Sequence, residues 1–425
     1  MKVCVAGLWH LGTVTAACLA SGGHKVVGWD ANEQTIEALS RNEPPVSEPG
    51  LAELVTRVSE EGRLRFTADA ADALREAEVV WVTYDTPVDD DDQADVGFVL
   101  QSVESLLPHV SAGALVLISS QLPVGSTCVL EQKAAGLDIT FGYSPENLRL
   151  GKAIEAFTKP DRVVAGVRNE QDRARVTSLL APFTDRIEWM SVESAEMTKH
   201  ALNAFLATSV AFINEIASIC EQVGADAKEV ERGLKTEPRI GPKAYLGPGG
   251  AFAGGTLARD VVFLSALGRE HDVPTNLISG VKASNDAHRS WAARRLRDLI
   301  GDLAGVRIAV WGLTYKPGTD TLRRSSAIEL CRWLVTQKSI VAAHDPVVKS
   351  IDVDGVELCA EPLAAAASAS ALVVMTEWPD YRNIDGSAIE NALGGKKIIL
   401  DANRFLGTQL ADRPGVVYAT VGKAV

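Results

Sequence analysis

The first thirty residues restrict the possible folds more than any other part of the chain. Residues 2–7 form an apolar strand, a glycine-containing turn follows, and a helical pattern extends from about Thr13 to Ala20. Residues 25–29 form a second apolar strand, which ends at Asp30. A strand, a glycine turn, a helix and a second strand closed by a carboxylate make up the first half of a dinucleotide-binding fold. We therefore predict this fold for the N-terminal region.

Apolar strands continue to alternate with helical stretches further along the chain. Residues 79–83, 114–119 and 162–167 are predicted strands, and a second strand–helix–strand unit begins at residues 307–311. This alternation is typical of a parallel sheet that is covered by helices on both faces. The predicted fold class is therefore α/β, with two Rossmann-like, doubly wound parallel-sheet domains joined by a long central helix.

The central helix is predicted over residues 194–223, with Ser194 as its cap and Gly224 as its stop. After it, residues 236–260 are rich in glycine and proline, so we expect this stretch to be irregular. A long irregular segment in a compact enzyme is often functional. The predicted domains are 1–193 for the N-terminal domain, 194–300 for the central helical region and 301–425 for the C-terminal domain.

The glycine turn departs at one position from the dinucleotide-binding pattern G-x-G-x-x-G. Residues 7–12 read Gly-Leu-Trp-His-Leu-Gly, so Trp9 replaces the middle glycine. That glycine lets the cofactor pyrophosphate approach the helix N-terminus, and an indole is expected to crowd the phosphates or to shift the backbone. Two interpretations stay open at this point: an NAD site, or a Rossmann-like scaffold without a cofactor. The candidate cofactor-binding residues are Gly7, Trp9, His10, Leu11, Gly12 and Asp30.

The composition argues against several classes of function. A formal net charge of −13 disfavours a nucleic-acid partner, which would require a basic face. No run of 18 or more apolar residues occurs and no signal-peptide pattern is present, so neither a membrane-spanning segment nor secretion is expected. The six cysteines are scattered without a CxxC pair, which favours a reducing cytoplasm. The seven histidines are equally dispersed, so no metal site is predicted.

Several longer motifs occur in order along the chain, among them Ser-Pro-Glu-Asn-Leu-Arg at 144–149, Ala-Glu-Met-Thr-Lys at 195–199 and Gly-Leu-Thr-Tyr-Lys-Pro at 312–317. The others lie at residues 45–51, 86–87, 123–126, 160–162, 203–207, 214–215, 319–320 and 345–346. Together they resemble the UDP-glucose/GDP-mannose dehydrogenase family over essentially the whole chain. The resemblance implies an N-terminal NAD-binding domain, a central helix that forms a homodimer, and a C-terminal nucleotide-sugar domain, with the active site between the domains.

Enzymes of this family oxidise the primary alcohol of a sugar to a carboxylate in two NAD-dependent steps, and their motifs carry site residues onto this chain. The implied catalytic residues are Glu146, Lys199, Asn203 and Asp260. The implied cofactor contacts are Thr86, Pro87, Gln121, Arg259 and Arg323. The implied substrate contacts are Asn147, Leu148, Arg239, Tyr245, Gly254 and Lys316.

Elementary chemistry supports two of these assignments independently. A hydride leaves an alcohol carbon more easily as the hydroxyl loses its proton, so a base and a group that stabilises the alkoxide are needed. Lys199 and Asn203 are four residues apart, so on a helix they share a face that is otherwise apolar. A charged amine and an amide on such a face are suited to this task.

The family's nucleophilic cysteine lies four residues before the conserved aspartate, and Thr256 occupies that position here. A threonine hydroxyl is far less acidic than a thiol, so covalent capture of an aldehyde is expected to be difficult. Four hypotheses stay open: a two-electron alcohol–carbonyl oxidation, a full four-electron oxidation that uses Thr256 or an aldehyde hydrate, an epimerase-like internal redox reaction, and non-catalytic binding of a nucleotide sugar. The number of NADH molecules formed per molecule of product distinguishes the first three hypotheses, which predict one, two and none. Calorimetric titration with NAD tests the fourth.

Overall fold

The computed structural model describes residues 1–89, 94–146, 148–253 and 255–425. The chain divides into two compact units, Met1–Ala201 and Leu202–Val425. Each unit contains one sheet, mainly parallel in the first unit and wholly parallel in the second, and we describe the two units separately.

The sheet of the first unit has the strand order β3-β2-β1-β4-β5-β6-β7-β8, with all pairs parallel except β6 with β7. Its strands are β1 (Lys2–Ala6), β2 (Lys25–Trp29), β3 (Leu64–Thr67), β4 (Val79–Val82), β5 (Ala114–Ile118), β6 (Ile139–Tyr143), β7 (Val163–Val167) and β8 (Ile187–Met190). Its helices are α1 (His10–Ser21), α2 (Glu33–Ser40), α3 (Leu51–Glu60), α4 (Ala70–Leu74), α5 (Val96–Leu106), α6 (Ser126–Lys133), α7 (Ala153–Thr158) and α8 (Glu170–Leu180). The first six strands have the order of a doubly wound dinucleotide-binding sheet.

Both faces of this sheet are buried. Along β1, Val3 and Val5 belong to one hydrophobic cluster, whereas Cys4 and Ala6 belong to another. Successive side chains of a strand point to opposite faces, so two separate clusters mean that helices cover the sheet on both sides. The fold-class prediction is therefore confirmed for this unit.

Helix α9 (Val192–Val223) begins two residues before the predicted start. Ser194 is not its cap, because the Oγ of Ser191 accepts a hydrogen bond of 3.2 Å from the amide of Ser194, as a capping residue does. Contrary to the sequence-based expectation, this described helix is long and apolar enough to cross a membrane by length and composition alone. It also carries buried polar residues, among them Glu196, Lys199 and Asn203, which make hydrogen bonds within the protein. Such buried polar contacts are typical of a core helix.

The sheet of the second unit is entirely parallel and has the order β11-β10-β9-β12-β13-β14. Its strands are β9 (Arg307–Trp311), β10 (Ile340–His344), β11 (Val356–Leu358), β12 (Ala371–Val374), β13 (Ile398–Asp401) and β14 (Val417–Ala419). The remaining helices are α10 (Ala227–Thr236), α11 (Thr256–Glu270), α12 (Asn276–Arg289), α13 (Trp291–Ile300), α14 (Ser326–Thr336), α15 (Pro362–Ala366), α16 (Gly386–Ala392) and α17 (Gly407–Leu410). Ile308 and Val310 enter one cluster and Ala309 and Trp311 the other, so this sheet is also covered on both faces.

Two further predicted boundaries are wrong. Helix α1 begins at His10 rather than near Thr13, so it starts inside the glycine-turn motif. The stretch 236–260 is not irregular to its end, because α11 begins at Thr256. Gly255 precedes that helix with φ +103°, a conformation that favours glycine and turns the chain into the helix.

Candidate functional site

The glycine turn of the first unit has the close packing that a dinucleotide site requires. Gly7 has φ +92°, its amide donates to the Trp29 carbonyl, and the Leu8 amide donates to Asp30 Oδ2 over 2.8 Å. A Cβ on Gly12 would lie 1.8 Å from the Gly7 carbonyl oxygen, so this position admits only glycine. Close packing of this kind at the start of a helix is the arrangement in which a doubly wound fold holds the pyrophosphate of a dinucleotide.

Trp9 does not distort this turn. Its φ of −80° and ψ of −154° are accessible to any L-residue, and 52% of its surface is exposed. Trp9 is the residue before α1, and no atom of its side chain is among the nearest neighbours of a Cβ placed on Gly7 or Gly12. Leu11, the second residue of α1, is buried.

His10 connects this turn to a second loop of the same unit. Its Nε2 lies 2.9 Å from Glu48 Oε2, and the Glu48 carboxylate also accepts hydrogen bonds of 2.8 Å from the amides of Gly151 and Ala153. Burial raises the pKa of Glu48, but these amide bonds and His10 outweigh burial and hold the pKa below its ordinary range. Glu48 thus ties the loop that follows Glu146 to the cofactor turn.

Replacing Glu48 by glutamine should lower the melting temperature most at neutral pH. A carboxyl with a lowered folded-state pKa stabilises the fold above its unfolded pKa of about 4.3, and this contribution disappears as the pH falls through the folded value. We expect the difference in melting temperature between wild type and Glu48→Gln to narrow below about pH 4.3. Calorimetric melting across a pH series measures this difference. Glu53→Gln, which changes an exposed residue on α3, is the matched control, and a difference that stays constant with pH would contradict the assignment.

The other predicted cofactor contacts of this unit lie at the carboxyl ends of its strands. The Thr86 hydroxyl donates to the Gln121 carbonyl over 2.6 Å, and both residues are buried, whereas Pro87 is exposed. Ligands of doubly wound sheets bind at this edge. The hydrogen bond between Thr86 and Gln121 therefore joins two predicted cofactor contacts at the carboxyl edge of the sheet.

Lys199 and Glu146 form a pair within the first unit. The Lys199 Nζ donates to the Glu146 carbonyl over 2.7 Å and lies 3.1 Å from Glu146 Oε1, and Lys199 is only 8% exposed. The other carboxylate oxygen of Glu146 accepts from the Leu148 amide over 2.9 Å. Glu146 therefore holds the predicted catalytic residue Lys199 in one position. In the sequence, Glu146 is followed directly by the predicted substrate contacts Asn147 and Leu148. Asn147 lies outside the described residues.

Asn203 and Asp260 form the corresponding pair within the second unit. The Asn203 amide donates to Asp260 Oδ2 over 2.5 Å, and the two residues are 4% and 0% exposed. Asp260 lies on α11, four residues after Thr256, which is the first residue of that helix and is exposed. Arg259, on the same helix, is half-buried, and Gly254 lies outside the described residues.

A cavity of about 410 Å³ opens in the second unit at the carboxyl ends of β9 and β12. Of the predicted residues, Tyr245, Thr256 and Lys316 line it. Its volume lies in the range of small-ligand sites, and its place in the sheet is where such ligands bind. None of the lining residues is a cysteine, and the six cysteines lie elsewhere in the described structure.

The rim of this cavity repeats the glycine turn of the first unit. Gly312 has φ +83°, its amide donates to the His344 carbonyl, and the Leu313 amide donates to Asp345 Oδ2 over 2.7 Å. A Cβ on Gly312 would lie 2.5 Å from the Thr376 carbonyl oxygen. Both candidate sites therefore have the same turn, in which a glycine with positive φ is followed by an amide that donates to a carboxylate at the end of the next strand.

Four side chains that the sequence analysis did not assign hold the loop before Thr256. Asn403 Oδ1 accepts from the Gly250 amide, Asn214 Oδ1 accepts from the Gly249 amide, and the His288 imidazole donates to the Gly249 carbonyl. Asn285 binds both the amide and the carbonyl of Phe252. Burial lowers the pKa of His288, which favours the neutral form of the ring. Asn214 lies in a quoted motif, but no sequence signal connects these four residues to one loop.

Two arginines do not reach the cavity. The side chain of Arg239, a predicted substrate contact, is 87% exposed and pairs with Glu237 over 2.8 Å, so the structure does not bring it to the cavity. Arg404 forms a two-point ion pair with Asp226, at 2.6 and 3.1 Å. Arg323 precedes α14. The sequence analysis did not single out the next residue, Arg324, whose Nη1 lies 3.2 Å from the position that a Cβ on Gly255 would occupy. Among the described residues no cluster of three or more metal-ligating side chains occurs.

Comparison with known proteins places these features in context. Models of the UDP-glucose/GDP-mannose dehydrogenase family match residues 1–184 (NAD-binding domain), 193–287 (central domain) and 309–408 (UDP-binding domain). The UDP-glucose 6-dehydrogenase of Rhizobium meliloti strain 1021 is 33% identical over 439 residues, covering 100% of both chains. The enzyme TuaD of Bacillus subtilis, a UDP-glucose 6-dehydrogenase, is 31% identical and covers 99% of this chain and 93% of its own.

Solved structures are similar over the same length. A UDP-glucose dehydrogenase from Pyrobaculum islandicum superposes with a TM-score of 0.88 at 27% identity, over 100% of this chain and 98% of that chain. A UDP-D-ManNAc dehydrogenase from Pyrococcus horikoshii superposes with a TM-score of 0.85 at 25% identity, over 100% of this chain and 99% of that chain.

Proposed function

This chain belongs to the UDP-glucose/GDP-mannose dehydrogenase family and uses NAD, and from that premise we propose that it oxidises an alcohol of a UDP-sugar to a carbonyl and stops there. The single observation behind the two-electron limit is Thr256. It is an exposed residue at the first position of α11, it lines the cavity of the second unit, and no cysteine lines that cavity.

The proposed chemistry divides among four polar residues. NAD, when bound, accepts the hydride that leaves the sugar carbon. Lys199 stabilises the negative charge that develops on the alcohol oxygen, and Glu146 holds its amine in place. Asp260 accepts the hydroxyl proton directly or through a water, and Asn203 orients the Asp260 carboxylate. Loss of one proton and one hydride converts the alcohol into a carbonyl and uses one NAD.

Thr256 limits the reaction to this first step. A second oxidation of an aldehyde requires its conversion to a tetrahedral adduct, which a thiolate forms readily and a threonine hydroxyl does not. In its place, the Thr256 hydroxyl binds a sugar oxygen or a water. The full four-electron reaction remains the competing hypothesis, because a hydrated aldehyde needs no nucleophile from the protein.

The proposed substrate is a nucleotide sugar whose nucleotide occupies the cavity of the second unit. Lys316 provides a positive charge for a phosphate, and Tyr245 provides an aromatic ring in the lining of the same cavity. The relatives named above act on UDP-sugars, which supports uridine as the base. Under this proposal residues 1–193 bind NAD, 194–300 carry the catalytic helix and loop, and 301–425 bind the nucleotide.

We propose a homodimer through α9. Phe205, Phe212 and Ile219 lie seven residues apart on this helix and are 71%, 46% and 57% exposed. An apolar stripe of this kind is a recurrent sign of a protein–protein interface. The six free cysteines support a cytoplasmic location, where thiols remain reduced.

The decisive experiment offers a panel of nucleotide sugars with NAD and measures NADH yield and product mass. One NADH per product and a carbonyl product are expected. Two NADH per product would establish the four-electron reaction, and product without NADH would establish internal redox. Nucleotide-sugar binding without NAD binding, measured by calorimetry, would instead identify a non-catalytic relative.

A further inference from the structure

Glu377 carries an unpaired carboxylate in the lining of the second unit's cavity. It follows β12 and is the one acidic residue among the described residues that line this cavity. Glu377 is half-buried, and its carboxylate makes neither a hydrogen bond nor an ion pair with another described residue. Burying a charge costs free energy unless it gains partners, so a carboxylate left unpaired in a cavity is suited to accept hydrogen bonds from a ligand.

The two neighbours of Glu377 fix its backbone against the glycine turn of the second unit. The Thr376 hydroxyl donates to the Thr314 carbonyl over 2.6 Å. The Trp378 indole donates to Asp345 Oδ2 over 3.0 Å. Both neighbours are buried, whereas Glu377 retains access to the cavity. Anchoring on both sides restricts the region that its carboxylate can reach.

The carboxylate that usually binds a ribose in such a unit is already occupied by the protein. In a doubly wound sheet this carboxylate follows the second strand, and Asp345 holds that place directly after β10. Its Oδ2 accepts from the amides of Leu313 and Thr314 and from the Trp378 indole. Its Oδ1 accepts from two further backbone amides, and the residue is buried. A ribose bound in this unit therefore needs another acceptor.

Glu377 lies where the strand order of the second sheet reverses. β9 is flanked by β10 on one side and by β12 on the other, and doubly wound sheets bind ligands at the carboxyl ends of their strands at such a point. Lys316 lines the same cavity, and the two charged side chains do not pair with each other. A nucleotide satisfies both, because its phosphates attract the amine and its ribose hydroxyls donate to the carboxylate. The carboxylate repels the phosphates, so the ribose is the part that it binds.

We propose that Glu377 is a specificity-determining residue whose carboxylate accepts hydrogen bonds from the ribose hydroxyls of the bound nucleotide. The site then prefers sugars carried on a ribonucleotide to sugars carried on a 2′-deoxyribonucleotide. This inference rests on the proposed location of the nucleotide in this cavity and does not depend on how many electrons the reaction transfers. No sequence pattern singled out Glu377.

The test compares the binding of UDP and 2′-deoxy-UDP in calorimetry. The two ligands differ only in the 2′-hydroxyl, and neither carries the sugar that is oxidised. Wild type should bind UDP about 10-fold more tightly, as expected for one hydrogen bond to a charged group. Glu377→Ala should bind the two ligands with nearly equal affinity, because the acceptor is gone. Glu377→Gln keeps the size of the side chain and one acceptor, and should show a smaller preference than wild type.

Glu361→Ala is the matched control. Glu361 is an exposed glutamate of the same unit, it does not line the cavity, and its side chain does not cap α15. This variant should keep the wild-type preference for UDP. An unchanged preference in folded Glu377→Ala or Glu377→Gln would overturn the proposal, even if both affinities rose through relief of phosphate repulsion. Equal affinity of wild type for the two ligands would also overturn it. Failure of wild type to bind either ligand would instead refute the location of the nucleotide itself, which is a distinguishable result.

Discussion

Replacing Thr256 by cysteine is expected to raise the NADH yield from one to two per molecule of sugar and to change the product from a carbonyl compound to a carboxylate. The thiol would lie at the first residue of α11, where the helix dipole favours the thiolate. The thiolate adds to the aldehyde carbon, a second hydride leaves to a second NAD, and water hydrolyses the resulting thioester to carboxylate and free thiol. NADH yield with product mass measures the change.

Two further variants at this position control the experiment. Thr256→Ser keeps a hydroxyl and Thr256→Ala removes it, and both should retain a yield of one NADH. A wild-type yield of two would contradict the proposal that Thr256 limits the reaction. So would a folded cysteine variant that binds the sugar, turns over and still yields one NADH.

Replacing Lys199 by alanine should lower kcat by about 10²- to 10³-fold, the usual cost of removing one group that stabilises a developing oxyanion. Lys199 is 8% exposed and its amine donates to the Glu146 carbonyl over 2.7 Å, so the charge is buried and held in one position. The binding constant of the nucleotide sugar should change far less than kcat, because the charge develops only in the transition state. Steady-state kinetics together with calorimetric titration of the sugar separate the two effects.

Lys282→Ala is the matched control for this variant. Lys282 is a half-exposed residue of α12 in an ion pair with Asp286, and solvent-accessible pairs of this kind contribute little. It should leave kcat unchanged. A Lys199→Ala enzyme that retained more than about a tenth of wild-type kcat would remove Lys199 from the proposed mechanism.

The sheets were predictable because their signals are local. Residues 2–30 contain the strand, the turn glycine and the closing carboxylate within one short segment, and each of these has an assigned place in the structure. Helix starts were less predictable. Ser191 and Ser194 are both suitable residue types for the cap of α9. Only the structure identifies Ser191, because its Oγ accepts the hydrogen bond from the Ser194 amide.

The candidate sites were predictable where a motif carried them and not elsewhere. Lys199 with Glu146, and Asn203 with Asp260, were found by matching motifs, and each pair is in hydrogen-bond contact. Asn285, His288 and Asn403 escaped, because their shared contacts with one loop become visible only after the fold is placed. Arg239 was assigned to the substrate by resemblance alone, and its side chain forms an exposed pair with Glu237 away from the cavity of the second unit.

The contacts that Asn214, Asn285, His288 and Asn403 make with the loop before Thr256 also have a consequence for association. The backbone from Gly249 to Phe252 is fixed by the fold itself. A ligand that enters therefore meets a preformed wall and loses little conformational entropy in ordering it. Discrimination between sugars at this wall should accordingly depend on shape and hydrogen bonding, and the rate of entry should not wait for a loop to fold.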